Sequence, residues 1–134
     1  MIGYDTNWLI NRLEKEKAAS DKSRNHEVPH DAVEMESDLH DQIIAECRRR
    51  GWIVIHSRMD APTTTAKGVP DFIIFADQSR TFLFECKSRT GKLTTEQLGF
   101  SMMASILGFT VHVVRSFSEF LAVINEPSTK TTTP

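Results

Sequence analysis

Cysteine is scarce in this chain, and long apolar runs are missing altogether. The 134 residues hold two cysteines, Cys47 and Cys86, which form no metal-type cluster and lie inside apolar periodic segments. Buried free thiols in a reducing compartment fit that placement. No apolar stretch approaches the ~20 residues needed to cross a bilayer, so no membrane association is expected. The first residues, MIGYDTNWLINRLEKEK, lack a basic region followed by an apolar one. Secretion is therefore not expected, and the expected location is the cytoplasm, a host's if the chain is viral. There is no glycine-rich phosphate loop, which disfavours a small-molecule phosphohydrolase, and no His/Cys set with zinc spacing. No internal repeat is found.

Basic residues are also absent from one region. Between Glu27 and Glu46 stand seven acids and no Lys or Arg, whereas Arg48 to Lys92 holds nine bases against four acids, a local charge of +5. The formal net charge of −2 conceals this segregation. A basic region around a few acids suits a metal site that binds a polyanion, although uneven solvated charge alone would look the same. With 40% hydrophobic and 25% charged residues, the chain has the composition of one globular domain able to bury a core.

The apolar periodicity gives an order αα-β-ββ-α-β-α. Asp5 or Thr6 caps a helix to about Ala19, with Trp8, Leu9 and Leu13 on one side. Residues 20–34, polar and containing Pro29, read as a linker. A second helix runs from about Met35 to Arg50, with Leu39, Ile43 and Cys47 in register and Gly51 as its stop. Strands are expected at 52–56, 71–76, 81–86 and 110–114, the middle two joined by a turn at 77–80. Thr94 or Thr95 caps a helix through Leu107, and Ser116 or Ser118 caps a short one to about Ile124. A hairpin followed by a helical crossover implies a mixed sheet. The tail, EPSTKTTTP, reads as disordered. His56 reads as a structural strand-end residue, His112 as exposed, and Met102 and Met103 as core filler.

The chemistry lies in GVPDFIIFADQSRTFLFECK, residues 68–87. With a four-residue turn, Ala76 faces Thr81 and Asp71 faces about Cys86, so Asp71 and Glu85 approach each other at the open end of the hairpin. Glu85 and Lys87, two residues apart, share a face. The same register puts Asp71 on the other face, and a bulge or an irregular start after Pro70 is expected to correct it. Paired carboxylates repel unless a cation lies between them, and oxygen donors suit Mg²⁺ or Mn²⁺. Such a cation activates water and offsets charge on a scissile phosphate, and Lys87 is suited to stabilise that charge. Cys86 can offer only its backbone carbonyl. Glu36, His40, Ile43 and Cys47 share roughly one helix face, so Glu36 is either a third acid or a complement to the helix dipole.

These residues carry a resemblance. GVPD at 68–71, Glu85-Cys86-Lys87, LTTEQ at 93–97 and ValValArg at 113–115 resemble the VRR-NUC family of PD-(D/E)XK nucleases over about residues 36–117. The resemblance implies an α/β, restriction-endonuclease-like fold: a mixed central sheet of about four strands flanked by helices. Residues 1–34 would be an N-terminal helical extension, 35–125 the nuclease domain and 126–134 the tail. It implies Mg²⁺ or Mn²⁺ bound by Asp71, Glu85, the Cys86 carbonyl and Glu36, with Lys87 assisting catalysis and Gln97 near the metal or its waters. Lys67, Arg89 and Lys92 would contact phosphates of DNA. The implied activity is DNA phosphodiester cleavage, structure-specific on branched DNA, by a homodimer. The competing function is a non-catalytic nucleic-acid-binding module on the same fold. Residues 1–34 fall outside the resemblance and would serve as an arm for dimerisation or substrate contact.

Overall fold

The computed structural model describes residues 10–12, 14–15, 28–57 and 67–127. Residues 10–12 and 14–15 are helical, and the rest of the expected first helix lies outside the described residues, as do residues 20–27 of the expected linker and 128–134 of the tail. The order is α1 (Glu36–Arg50), β1 (Ile53–His56), β2 (Phe72–Phe75), β3 (Thr81–Cys86), α2 (Thr95–Ile106), β4 (Val111–Val114) and α3 (Phe117–Ile124).

Helix α1 forms for reasons visible along its length. Glu36 and Asp38 in the first turn and Arg48, Arg49 and Arg50 in the last complement its dipole. Leu39, Ile43 and Cys47, four residues apart, are fully buried and face the sheet. Gly51 ends the helix at φ 73°, and the N–H groups of Gly51 and Trp52 return to the carbonyls of Arg48 and Cys47.

The four strands form one mixed sheet in the order β1-β2-β3-β4, antiparallel except for the parallel β3–β4 pair. Helix α2 makes the crossover that parallel pairing requires. One face carries His56, Phe72, Phe84 and His112 in a row, with Ile74, Phe82, Cys86 and Val114 beside them. Helices α1 and α3 cover this face, and Phe72, Phe84, Phe120, Leu39, Ile43 and Ile74 are completely buried in it. Removing one of these phenyl rings would cost ~3–5 kcal/mol. The other face keeps Ile53, Ile55 and Phe75 exposed at 63%, 49% and 45%.

Three expectations need correction. The hairpin turn has three residues, not four: Ala76 N–H donates to the Arg80 carbonyl at 2.9 Å, so Phe75 pairs with Thr81 and Phe72 with Phe84. Gln78 and Ser79 both adopt φ 58°, a conformation that nothing in their side chains announces. His112 is not an exposed strand residue. It lies in the row with Phe84, 5.5 Å between ring centroids, and burial lowers its pKa. Met102 is buried, but Met103 is 39% exposed and fills no core.

Residues 28–34, expected as linker, are tied to the sheet. Val33 N–H donates to the Arg115 carbonyl, and Arg89 N–H to the Val33 carbonyl. Asp31 accepts from the backbone and hydroxyl of Ser118, at 3.1 and 2.7 Å, and these bonds hold its carboxyl below the usual range.

Candidate active site

The site gathers at the open end of the β2–β3 hairpin, where the chain enters β2 under control from β1. Ser57 donates its N–H to the Asp71 carbonyl at 2.9 Å and its hydroxyl to the Pro70 carbonyl at 2.8 Å. Continuing the register from Phe72–Phe84 places Asp71 opposite Glu85. Both acids therefore belong to the same sheet face without any bulge. The shorter turn resolves the conflict in the sequence-based register, because one residue of slip exchanges the two faces, and the expected irregular start is present as well, with the chain bent at Asp71 just outside the β2–β3 ladder. Asp71 Oδ2 then accepts from the Cys86 backbone N–H at 2.8 Å, which locks the carboxylate across the strand gap.

Gly68 and Gln97 close the site from the other side. Gly68 has φ 83°, and a Cβ there would lie 2.2 Å from the Glu96 carbonyl oxygen and 2.8 Å from the Gln97 nitrogen. Only glycine lets the strand entry pass so close to the first turn of α2. That turn is held by a capping box in which Thr94 Oγ1 accepts from Gln97 N–H, and Gln97 Oε1 from Thr94 N–H. The remaining end of the same amide, Gln97 Nε2, donates to Glu85 Oε1 at 2.9 Å. The motif LTTEQ thus starts a helix and orients an acid with one side chain.

The electrostatics follow from burial. Glu85 is 3% exposed and Lys87 7%. Burial, then the adjacent Asp71 charge, pushes the Glu85 carboxyl up to about 9. Burial also acts to raise Asp71, but the His40 ring, the Cys86 N–H and the protonated partner Glu85 outweigh it and hold Asp71 low. Burial and the mutual repulsion of the two carboxyls thus push their pKa values apart, Glu85 upward and Asp71 downward. Burial moves the Cys86 thiol well above its ordinary range, so its side chain is an inert part of the core.

Helix α1 supplies the third side. Glu36 Oε1 lies 4.0 Å from Lys87 Nζ, with 40% of the Glu36 side chain exposed, so Glu36 stands at the rim beside Lys87. One turn further along, His40 points Nε2 at Asp71 Oδ2 from 3.6 Å. The sequence puts His40 on the stripe with Glu36 without marking it for a role. The signal was its i+4 spacing from Glu36, which puts both side chains at the same edge of the helix.

The basic residues separate into two kinds. Lys67 and Lys92 are exposed near the ends of the segments that flank the acids. Arg89 instead engages Glu34 at 3.1 Å and the carbonyls of His30 and Ala32 at 3.2 and 3.1 Å, so it fastens residues 30–34. Arg115, the last residue of ValValArg, donates to the carbonyls of Ser88 and Gly91, both at 2.6 Å, and clamps the loop that follows Lys87.

The donors present suit a divalent cation. Two carboxyls in contact, one of them with its pKa pushed up by burial and by the other's charge, and a nearby buried imidazole nitrogen without a hydrogen-bond partner among the described residues form a set that a cation would satisfy.

No family model matches the sequence, and no curated protein matches it. Among solved structures, the fold is similar to one described as "VRR_NUC domain", over 72% of this chain and 100% of that one, with a TM-score of 0.57 and 19% identity. No described helix is long and apolar enough to cross a membrane. The chain shares the fold of that VRR_NUC domain.

Proposed function

We propose that this chain is a divalent-metal-dependent DNA endonuclease that hydrolyses phosphodiester bonds, acting on branched DNA as a homodimer. The observation that carries the reading is the buried Asp71–Glu85 pair, with Lys87 and Gln97 against it, on a nuclease-type fold. Asp71, Glu85 and the Cys86 carbonyl hold Mg²⁺ or Mn²⁺, with Glu36 at the rim. Once bound, the cation supplies an activated water and a counter-charge for the phosphate.

The chain's own residues do the rest. Gln97 fixes the Glu85 carboxylate through Oε1, and the Cys86 N–H fixes Asp71 through Oδ2. Lys87, two residues beyond Glu85 and close to Glu36, places a cation where charge develops on the scissile phosphate. Lys67 and Lys92, both exposed, contact flanking phosphates. The uncovered apolar surface of Ile53, Ile55 and Phe75 offers a face to a second copy, which would present two sites to a symmetric branched substrate.

The test is cleavage of a panel of four-way, flap and linear DNAs with Mg²⁺ or Mn²⁺, together with light scattering. Metal-dependent cutting of branched DNA, lost in Asp71→Ala and Glu85→Ala, is the expected result. Binding that never leads to cleavage with either metal would instead identify a non-catalytic module.

A further inference from the structure

His40 stands against Asp71 but has no part in the proposed cleavage, and its environment is unusual. Its Nε2 is buried and has no hydrogen-bond partner among the described residues. Buried polar nitrogens are nearly always paired, and leaving one unpaired costs ~1–3 kcal/mol. The nitrogen is 3.6 Å from Asp71 Oδ2, too far for a hydrogen bond and near enough for one ion to bind both atoms.

The ring is also held in place. Its edge meets Phe72 at 5.3 Å between centroids and 88° between planes, and it meets His56 at 4.8 Å and 74°. His56 in turn stacks on Phe72 at 4.5 Å. These contacts restrict rotation of the imidazole, so Nε2 stays directed at Asp71. A ring nitrogen of His40, an Asp71 carboxylate oxygen and Cys86 Sγ all lie within 4.8 Å of one another. Of the three, the thiol is the poorest partner for a hard or borderline cation that already has carboxylates, which leaves nitrogen and oxygen as the donors.

We propose that His40 is a direct ligand of the cation held by Asp71, and that this nitrogen donor biases the site from Mg²⁺ toward Mn²⁺. Oxygen-only sets serve Mg²⁺ and Mn²⁺ alike, whereas imidazole favours first-row transition ions, and Mn²⁺ is the one among them that still suits a carboxylate pair. The inference rests on the reading of Asp71 and Glu85 as a metal pair, and its test does not depend on cleavage.

Calorimetric titration of Mn²⁺ and of Mg²⁺ into the DNA-free full chain should show Mn²⁺ bound more tightly. In His40→Ala the Mn²⁺ affinity should fall roughly tenfold or more, the scale on which shell residues act at metal sites, while Mg²⁺ affinity moves much less. Equal losses for both metals, or no loss for either, would overturn the proposal. Pulsed electron paramagnetic resonance of the Mn²⁺-loaded unmodified chain gives a readout that needs no variant to fold. Modulation from a coordinated imidazole ¹⁴N should appear there, persist in His56→Gln and vanish in His40→Gln. Its absence from the unmodified chain would reject His40 as a ligand even if the DNA panel is cut. Nitrogen coupling with no cleavage of any DNA would uphold His40 as a ligand and reject the nuclease reading.

Discussion

The β2–β3 hairpin carries an acid and a base at each end, and the two ends behave differently. At the turn, Arg80 meets Asp77 at 2.5 Å, but the Asp77 side chain is 62% exposed. Arg80 also donates to the Ile124 carbonyl and lies over the Trp52 and Phe82 rings, so its pairing with Asp77 is one contact among several. At the open end, Asp71, Glu85 and Lys87 are largely withdrawn from solvent, and each acid is held by a specific donor. Similar residue types therefore serve as a solvated fastening at one end and a poised cluster at the other. Burial decides between them, because water screens the first pair and cannot screen the second.

The largest effect should come from breaking the buried end. Asp71→Ala or Glu85→Ala should lower metal-dependent cleavage by at least roughly 10²–10³-fold, measured as initial rates on a four-way junction. Glu85→Gln sharpens the point. Since Glu85 keeps a proton in the metal-free chain, the isosteric amide should leave metal-free thermal stability unchanged or raise it while cleavage is lost. A clear fall in melting temperature for Glu85→Gln without metal would contradict the protonated assignment.

Next in size is Gly68→Ala. The added methyl meets the backbone of Glu96 at a separation no real contact allows, and φ 83° is strained for alanine. The first turn of α2 must move, carrying Gln97 away from Glu85. A stability loss of ~1–3 kcal/mol in chemical denaturation is expected, with cleavage reduced even where the chain remains folded.

A smaller, graded effect should appear with pH. The folded chain holds the Glu85 proton to higher pH than the unfolded chain, for which the ordinary carboxylate value applies. The resulting stabilisation is complete below the unfolded value of 4.5 and is lost as pH rises toward about 9. Metal-free stability should therefore decline across that window, by at most about 1.4 kcal/mol per pH unit for one proton. Saturating Mn²⁺ should flatten the decline, because binding requires the deprotonated acid. Melting curves at a series of pH values, with and without metal, measure both.

The smallest effect belongs to the exposed end. Asp77→Ala removes a screened partner of Arg80 and should change stability by no more than about 1 kcal/mol, with cleavage unaltered. A loss comparable to that of Asp71→Ala would erase the distinction between the two ends.

Much of the fold was legible because local chemistry marks it. Thr94 and Ser116 accept from Gln97 and Glu119 as helix caps, Gly51 terminates α1, and the alternation in FIIF and TFLFEC gives the strands. The motif residues Gly68, Asp71, Glu85, Lys87 and Gln97 were legible for the same reason, since spacing and residue type are sequence properties. The hairpin register was not. It depends on two non-glycine residues, Gln78 and Ser79, entering a left-handed conformation that composition does not specify.

Long-range placement was equally hidden. That Arg89 would fasten residues 30–34 rather than face solvent depends on Glu34 arriving from 55 positions earlier in the chain. That His40 would lie 3.6 Å from Asp71 depends on how α1 sits under the sheet. The sequence by itself determined which segments become helix or strand and which residues make up the candidate site, because caps, periodicity and spacing act within a few residues. Only the tertiary structure decided which face each acid occupies and what stands against it. Those outcomes are fixed by strand register and by packing between segments far apart in the chain, where a shift of one residue changes every neighbour.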